Sequence, residues 1–199
     1  LRGVEVAHGA TGGSVADLTA ALGDAFTALR GFPSDTLLQS KAMGAARDLV
    51  ERYATVSSAV QEARQGAQDA MVGDVRTLND ALRTISDLSE QIISLRAQGK
   101  GTAELEDGRD GAVAALSSVM QVKAVPAGNG GITLITAGGL NLPLHSASGP
   151  FTLADATLGP EAYYGSGGAL PGVMLGTTDV TARLGSGTLA AHASLRDTE

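Results

Sequence analysis

The chain has 199 residues, enough for one large domain or two small ones, so its core does not need disulfides or metals for support. It contains no cysteine, which excludes disulfides, thiolate metal sites and thiol chemistry. With 14 Lys and Arg against 21 Asp and Glu, the net charge is -7. Nucleic acid is therefore not an expected partner, because duplex affinity comes mainly from clustered cations. No apolar run approaches the length of about 20 residues that a membrane span needs, so no membrane contact is expected.

Two helices are predicted near the start of the chain. Residues 1–13 are broken by glycine and are predicted to form a lead-in tail. Ser14 has the chemistry of an N-cap for a helix that runs to about Arg30 and ends before Pro33. Apolar residues repeat along this helix at spacings of three and four, at Val15, Leu18, Leu22, Phe26 and Leu29.

The second helix is predicted to begin at Ser34 or Asp35 and to continue to about Leu95. From Ser57 onward only Gly66 and Gly73 interrupt it, each costing about 1 kcal/mol relative to Ala. Its first part has an apolar face made of Leu37, Leu38, Ala42, Ala45, Leu49, Tyr53 and Val56. Its second part has a narrow apolar stripe made of Met71, Val75, Leu78, Leu82, Ile85, Leu88, Ile92 and Leu95. Such a stripe suits a coiled-coil-like seam, which is either buried within this chain or used for assembly between subunits.

A third helix, which Thr102 is predicted to cap, runs directly into a strand. The apolar spacing is helical up to Met120 and alternates with period two from Val122, and no Gly or Pro separates the two patterns. The helical positions are Leu105, Val113, Leu116, Val119 and Met120. The strand positions are Val122, Ala124 and Val125.

After Val125, short apolar runs alternate with glycine-rich turns, which predicts a set of strands. They are expected at 132–136, 140–144, 151–154, 161–164, 171–175 and 180–184. From Gly187 to Asp197 the chain is predicted to be helical again. This order favours an α+β fold, a long-helix bundle with an inserted antiparallel β-rich domain. The predicted parts are the lead-in tail 1–13, a helical bundle domain 14–120, a β-rich domain 121–184 and a return helix 185–199 that rejoins the bundle.

Three glycine-rich motifs resemble phosphate-binding loops in composition. GSGTLA at 185–190 formally matches the dinucleotide fingerprint G-x-G-x-x-A, but the acidic residue expected about 20 residues later has no place in this chain. A strand-to-helix turn is the favoured interpretation. GSGG at 165–168 and GKGT at 99–102 lack the P-loop order and are predicted to be turns.

Acidic residues at the start of the third helix could suggest paired carboxylates for acid–base catalysis. They are Glu104, Glu106, Asp107 and Asp110. On a helix, however, residues 106 and 110 share a face and residue 107 is offset by about 100°, with Arg109 next to them. Acidic side chains also suit a first helical turn. We therefore predict ion pairing and helix stabilisation there, and no catalytic residue.

The three histidines are far apart and match no metal-binding pattern. They are His8, His145 and His192, and surface or edge positions are expected for them. No metal site and no cofactor site is predicted.

The helix-to-strand segment resembles the hook-associated protein 1 family of the bacterial flagellum, the first protein of the hook–filament junction. In that family a helix reading Leu-x-Asp-x-Arg-Asp, then x-x-Leu-x-x-Leu-Ser, runs into a Val-x-Val strand. The matching residues are Leu105, Asp107, Arg109, Asp110, Val113, Leu116, Ser117, Val122 and Val125. The last segment is similar to the family's Gly-x-Leu-Gly-x-Leu-x-x-x-Arg-Asp helix through Gly187, Leu189, Arg196 and Asp197.

The chain also departs from the family pattern. Gly108 and Gly111 interrupt the signature helix, and Gln121 stands where a Gly is usual at the helix–strand junction. In the last helix Ala190 and His192 replace a Gly and an apolar residue.

The resemblance implies a structural protein without catalysis or cofactors, which joins hook to filament as a ring of subunits. It implies type III export to an extracellular place on the flagellum. The implied partners are other copies of the protein, the hook protein, the second hook–filament junction protein and an export chaperone that binds a C-terminal helix. The family's terminal axial helices are not in this chain, which is therefore expected to be the core of a longer protein and monomeric in solution. The alternatives are another flagellar axial protein, such as the second junction protein or a flagellin relative, and a small Gly-loop nucleotide-binding domain.

Overall fold

A computed structural model describes residues 13–144 and 149–197 of the chain. Its fold is α+β, as predicted, with long helices and two small antiparallel sheets. The contacts divide the chain into two compact units, Leu1–Arg64 and Gln65–Glu199. The predicted tail lies almost entirely outside the described residues. The predicted division at residues 120 and 184 stays a prediction.

Helix α1, Val15–Gly31, begins where the sequence predicts. The Ser14 hydroxyl accepts a hydrogen bond from the Asp17 N–H (3.1 Å), and the Asp17 carboxylate accepts one from the Ser14 N–H (3.2 Å). This reciprocal capping box satisfies two amides that the helix leaves free, which confirms Ser14 as the N-cap. Of the two candidates for the next cap, Asp35 accepts hydrogen bonds from the N–H groups of Leu37 and Leu38 (2.8 and 3.1 Å).

The first unit contains α1 and the first part of α2, Thr36–Ala97. The half-buried side chains of α1 follow the predicted spacing, except that Phe26 is 55% exposed. On α2, Leu37 and Tyr53 are also exposed, at 62% and 56%. Assigning these three residues to the buried faces was wrong. A helix buries only the part of its apolar face that a neighbour covers, so apolar residues at the edge of that face remain in solvent.

Within the second unit, α2 continues without a break past Gly73. The apolar stripe from Met71 to Ile92 is buried, and Leu88 and Leu95 at its edge are half-buried. Most of its members pack in one cluster with residues of the later elements. The stripe therefore forms part of the core of this chain, which confirms the interpretation that it is buried within the chain and not the alternative of a seam between subunits.

Helix α3, Ala103–Val119, passes directly into strand β1, Val122–Pro126, as the change of apolar period predicts. The turn needs no glycine, because Met120 is already extended (φ -141, ψ 116) and no described residue other than glycine has a positive φ. Thr102 occupies the N-cap position, but its side chain makes no capping hydrogen bond. Its hydroxyl donates to the Glu106 carboxylate instead.

The strands form two antiparallel three-stranded sheets. In the first, β1 pairs with β2, Ile132–Thr136, which pairs with β3, Asn141–Leu142. The register places Val122 opposite Thr136. In the second, β4, Phe151–Thr152, pairs with β5, Met174–Leu175, which pairs with β6, Thr178–Asp179.

Several predicted strands are shorter than expected or absent. The predictions at 140–144, 151–154 and 171–175 each correspond to a two-residue strand. The prediction at 161–164 was wrong, since Ala162 N–H donates to Gly159 O (3.0 Å) in a turn. The prediction at 180–184 was also wrong. Thr181–Arg183 is a 3-10 helix, and the last helix, α4, Thr188–Asp197, follows it.

One hydrophobic cluster unites the elements of the second unit. Helices α2, α3 and α4 contribute apolar side chains, and so do both sheets. Its most deeply buried members include Met71, Leu78, Ile85, Leu116, Met120, Leu134, Phe151, Val173 and Leu189. Apolar aliphatic packing of this kind is the main stabilising contribution that a chain with few aromatic residues can make.

Candidate functional site

The signature residues of α3 divide into buried and exposed groups. Leu116 is fully buried in the core, whereas Leu105 and Ser117 are half-buried, as is Val122 on β1. Arg109 is also buried, and its Nη1 donates to the carbonyl oxygen of Gly130 (2.7 Å) in the turn between β1 and β2. The exposed signature residues are Asp107 and Asp110. The signature arginine therefore ties the helix to the first hairpin.

In the acidic cluster at the start of α3, Glu106 makes an ion pair and hydrogen bonds. Glu106 accepts hydrogen bonds from the Thr102 hydroxyl and from Arg96 Nη2 (2.8 Å) at the end of α2. The Thr102 hydrogen bond and then the Arg96 hydrogen bond hold the pKa of Glu106 below its ordinary value. A carboxyl group held ionised in this way is suited to fixing the α2–α3 turn and not to donating a proton.

Arg196 on α4 is the most deeply buried charged side chain that the structure describes, with no exposed surface. Its Nε and Nη2 donate to the two carboxylate oxygens of Asp197 (2.6 and 3.0 Å). Its Nη1 donates to Gln68 Oε1 (2.7 Å) and to Pro171 O (2.8 Å). The guanidinium also lies 5.5 Å from the centre of the Tyr164 ring. A charge this deeply buried is tolerated only when its donors are satisfied and a counter-ion is present, as they are here.

The remaining signature residues of the last segment, Gly187 and Leu189, pack on the helix–strand junction and in the core. Gly187 has φ +113, and a Cβ there would lie 2.3 Å from Val119 O. Next to it, Ser186 O accepts from the Gln121 N–H (3.0 Å), and Ser186 Oγ donates to Gln121 Oε1 (2.5 Å). Gly187 therefore allows close packing against the junction. The GSGTLA motif forms a turn before a helix, as predicted, but a 3-10 helix and not a strand precedes it.

Three amide side chains on α2 bind the backbone of residues 151–158. Asn79 forms two hydrogen bonds with Phe151, accepting from its N–H (3.1 Å) and donating to its carbonyl (2.8 Å). Gln68 Nε2 donates to Ala154 O (2.9 Å). Gln65 donates to Ala156 O (3.1 Å) and accepts from the Leu158 N–H (2.9 Å). These amides supply the pairing that a neighbouring strand would supply in a sheet.

Sequence reasoning did not identify these amides, or Tyr164 and Asp179. Asp179 accepts from the Thr181 hydroxyl and N–H (2.7 and 2.9 Å) and from the Tyr164 hydroxyl (3.1 Å). Burial works to raise its pKa, but these hydrogen bonds and the nearby Arg196 charge prevail and lower it. Gly172 packs so closely on this carboxylate that a Cβ would lie 2.0 Å from Asp179 Oδ2.

His192 is half-buried, and its Nδ1 lies 2.8 Å from Asp74 Oδ2 on α2, so it links the last helix to the long one. His8 and His145 lie outside the described residues. Among the residues that the structure describes, no three His, Asp or Glu side chains are placed to hold a metal ion. Within the same residues, no helix has the length and the apolar character that crossing a membrane requires.

A group of exposed apolar side chains lies in the first unit. It consists of Phe26, Phe32, Leu37, Met43, Val50 and Tyr53. Three of them, Met43, Val50 and Tyr53, lie on one face of α2, because spacings of seven and three bring residues to the same side of a helix. We call these three residues the apolar face of α2. They are 56–67% exposed, and exposed apolar clusters of this kind are typical of interaction surfaces.

The molecule is thus a helical α+β domain whose charged signature residues are used mainly in contacts between its own elements. The chain belongs to the family of the flagellar hook-associated protein FlgK helical domain, whose model matches residues 2–199. This confirms the resemblance drawn from the signature segments. No curated protein sequence matches the chain.

A solved structure, that of the flagellar hook junction protein FlgK from Burkholderia pseudomallei, is similar to this chain with a TM-score of 0.73. The match covers 98% of this chain and 35% of that chain, at 18% sequence identity. At this identity the similarity establishes the fold. The chain spans about a third of the length of that protein.

Proposed function

We propose that this chain is the structural core of a flagellar junction protein, which joins hook to filament as a ring of subunits and has no catalytic role. The observation that carries the proposal is the family match over residues 2–199. The internal use of the signature charges supports it, because Arg109 and Arg196 both serve contacts between elements of one unit.

The signature residues have an architectural role in this proposal. Leu105, Leu116, Val122 and Leu189 pack, and Arg109, Arg196 and Asp197 hold separate elements together. Gly187 permits the close approach of α4 to the helix–strand junction. Asp107, Asp110 and Ser117 contribute polar surface near the start and on the side of α3.

We assign lateral contact between copies of the protein to the apolar face of α2. Its three side chains are exposed, and charged residues of both signs, Arg47 and Glu51, lie beside it. In a ring this face meets a different surface of the neighbouring copy, and charges of both signs beside it allow that contact without net repulsion. The further partners in this proposal are the hook protein, the second junction protein and an export chaperone. The place of action is the extracellular flagellum, which the protein reaches by type III export.

Site-specific photo-cross-linking in the full-length protein tests this proposal. A photoreactive amino acid at Val50 or Met43 should link neighbouring copies in isolated hook–filament structures. The same amino acid at Lys41, which is exposed on the side of α2 opposite Val50, should link much less. A strain lacking the gene should lose its filaments and regain them on complementation. Equal linking of all three variants would contradict the assignment of lateral contact to the apolar face of α2. Filaments that persist without the gene would contradict the role at the junction.

A further inference from the structure

The deeply buried Arg196 contacts a side chain that itself holds a distant segment of the chain. Gln68 has no exposed surface, and its two amide atoms are both used. Its Oε1 accepts from Arg196 Nη1 (2.7 Å), and its Nε2 donates to Ala154 O (2.9 Å). A chain of two hydrogen bonds therefore runs from the end of α4, through α2, to residue 154.

The orientation of the Gln68 amide is determined by these two partners together. A guanidinium offers only donors, so the amide oxygen must face Arg196. A backbone carbonyl offers only an acceptor, so the amide nitrogen must face Ala154. Rotating the amide by 180° would place donor against donor and acceptor against acceptor. In a buried site each mismatch is costly, because water cannot replace the lost partner.

Between Leu153, which packs on the core, and the half-buried Leu158, the backbone of this segment is fixed mainly by side-chain amides. Residues 153–158 follow the two-residue strand β4 and belong to no helix or strand. Their described long-range hydrogen bonds go to Gln68 and Gln65, and Asn79 holds Phe151 just before them. The side chains of residues 154, 155 and 157 are exposed, so apolar packing contributes little at these positions. The order of this segment therefore depends on how the amides of α2 are oriented.

We propose that Arg196 is a conformational latch, through which the docking of α4 sets the Gln68 amide and so orders residues 151–158. When α4 is docked, the guanidinium holds Gln68 Oε1 and also binds Pro171 O, at the far end of the irregular segment that starts after β4. When α4 is not docked, Gln68 loses the donor that fixes its orientation, and the Ala154 contact exchanges with other rotamers. The β1–β2 hairpin lies outside this relay, because Arg109 and not Arg196 holds its turn.

Hydrogen–deuterium exchange of the chain, followed by mass spectrometry, tests the latch. In peptides covering 151–158, Arg196→Met should raise exchange of the Phe151 and Leu158 N–H groups, which α2 amides protect, by about tenfold. The reason is that the backbone between them loses its buried contact at Ala154 O. Peptides covering the hairpin at 122–136 should keep their protection. The matched control is Arg109→Met, which removes the other buried arginine that holds a turn of the same unit. It should raise exchange at 126–132 and leave 151–158 unchanged.

Two further variants keep the test decisive if Arg196→Met does not fold. Arg196→Lys retains the buried charge, but its three donors lie on one nitrogen and cannot reach all the partners of the five guanidinium donors. It should shift exchange at 151–158 in the same direction. Gln68→Glu retains an acceptor for Arg196 and loses the donor to Ala154, so it should release 151–158 while α4 stays protected. Two results would overturn the latch. One is faster exchange in α4 of the Arg196 variants with unchanged exchange at 151–158. The other is an equal increase in exchange at 151–158 and at 122–136 in every variant.

Discussion

Arg109 Nη1 on α3 donates to the carbonyl oxygen of Gly130, 2.7 Å away, in the turn between β1 and β2. Gly130 has φ +95, and a Cβ at this position would lie 2.6 Å from Arg96 Cδ. The turn is therefore enclosed by two arginine side chains, one from the end of α2 and one from α3. The contact explains why a helix and the hairpin that follows it keep a fixed relation without a glycine at their junction.

Replacing Arg109 by Met should lower the free energy of unfolding by about 1–3 kcal/mol, because it leaves the buried Gly130 carbonyl without this partner. Urea unfolding followed by circular dichroism measures the change. The control is Arg83→Met. Arg83 is exposed, and its Nη1 lies 3.8 Å from Asp80 Oδ1. Such a surface ion pair is expected to contribute about 0–1 kcal/mol. Equal losses in the two variants would contradict a specific role for the Gly130 contact.

Gly187→Ala should be among the most destabilising single-methyl changes in the chain. The new Cβ would lie 2.3 Å from Val119 O, and φ +113 is a conformation that residues with side chains rarely adopt. We expect a loss of at least about 2 kcal/mol, from backbone strain and overlap together. Gly185→Ala is the matched control, since its φ is +75 but its nearest neighbour would be Ala137 Cβ at 3.7 Å. It should lose only about 1–2 kcal/mol, from the backbone conformation alone. Thermal unfolding of the two variants tests the difference, and similar losses would refute the packing argument.

Glu106 should make the stability of the α2–α3 turn depend on pH in the acidic range. Its pKa in the folded protein is below the ordinary value of 4.5, first because of the Thr102 hydroxyl and then because of Arg96. A depressed pKa means that the stabilisation is present above the unfolded value and is lost as the pH falls through the folded value. NMR titration of the Glu106 side chain should show this low pKa, and Thr102→Val should raise it towards 4.5. An unchanged pKa in the variant would show that the hydroxyl is not the main cause.

Alanine at Gly66 or Gly73 should stabilise the long helix. Both lie inside α2, and a Cβ added at either would meet no atom within 4 Å. Each substitution should raise the free energy of unfolding by about 0.5–1 kcal/mol, because glycine loses more backbone entropy on entering a helix than alanine does. The double variant should show roughly the sum of the two gains, since the sites are about 10 Å apart along the helix. Chemical denaturation measures both, and a loss of stability would mean that one of these glycines has a packing role.

Much of the helical part of the fold follows from local patterns. Ser14 with Asp17 predicts a capped helix start, and the period of the apolar residues predicts both the stripe of α2 and the change to a strand after Met120. The exposed position of Phe26 does not follow, because spacing shows which residues share a face but not how many helices cover it.

The region after β4 could not be derived in the same way. Its backbone partners are amide side chains 72 to 93 residues earlier in the chain, and Gln65, Gln68 and Asn79 look like ordinary polar residues of an amphipathic helix. The run at 180–184 resembles a strand in composition, yet Val180 N–H donates to Val173 O and a 3-10 turn follows. Of the signature residues, the two arginines could be identified from sequence, but their burial depends on tertiary contacts that no local pattern records.

The way α2 holds residues 151–158 also bears on how this region can change in evolution. Its amides contact carbonyl oxygens and N–H groups, which every residue except proline provides in full. The exposed positions 154, 155 and 157 can therefore accept many side chains without losing an anchor. The constraint falls instead on Gln65, Gln68 and Asn79 of α2, which are far away in sequence. Residues 154, 155 and 157 can therefore tolerate substitution only as long as these three amides are kept.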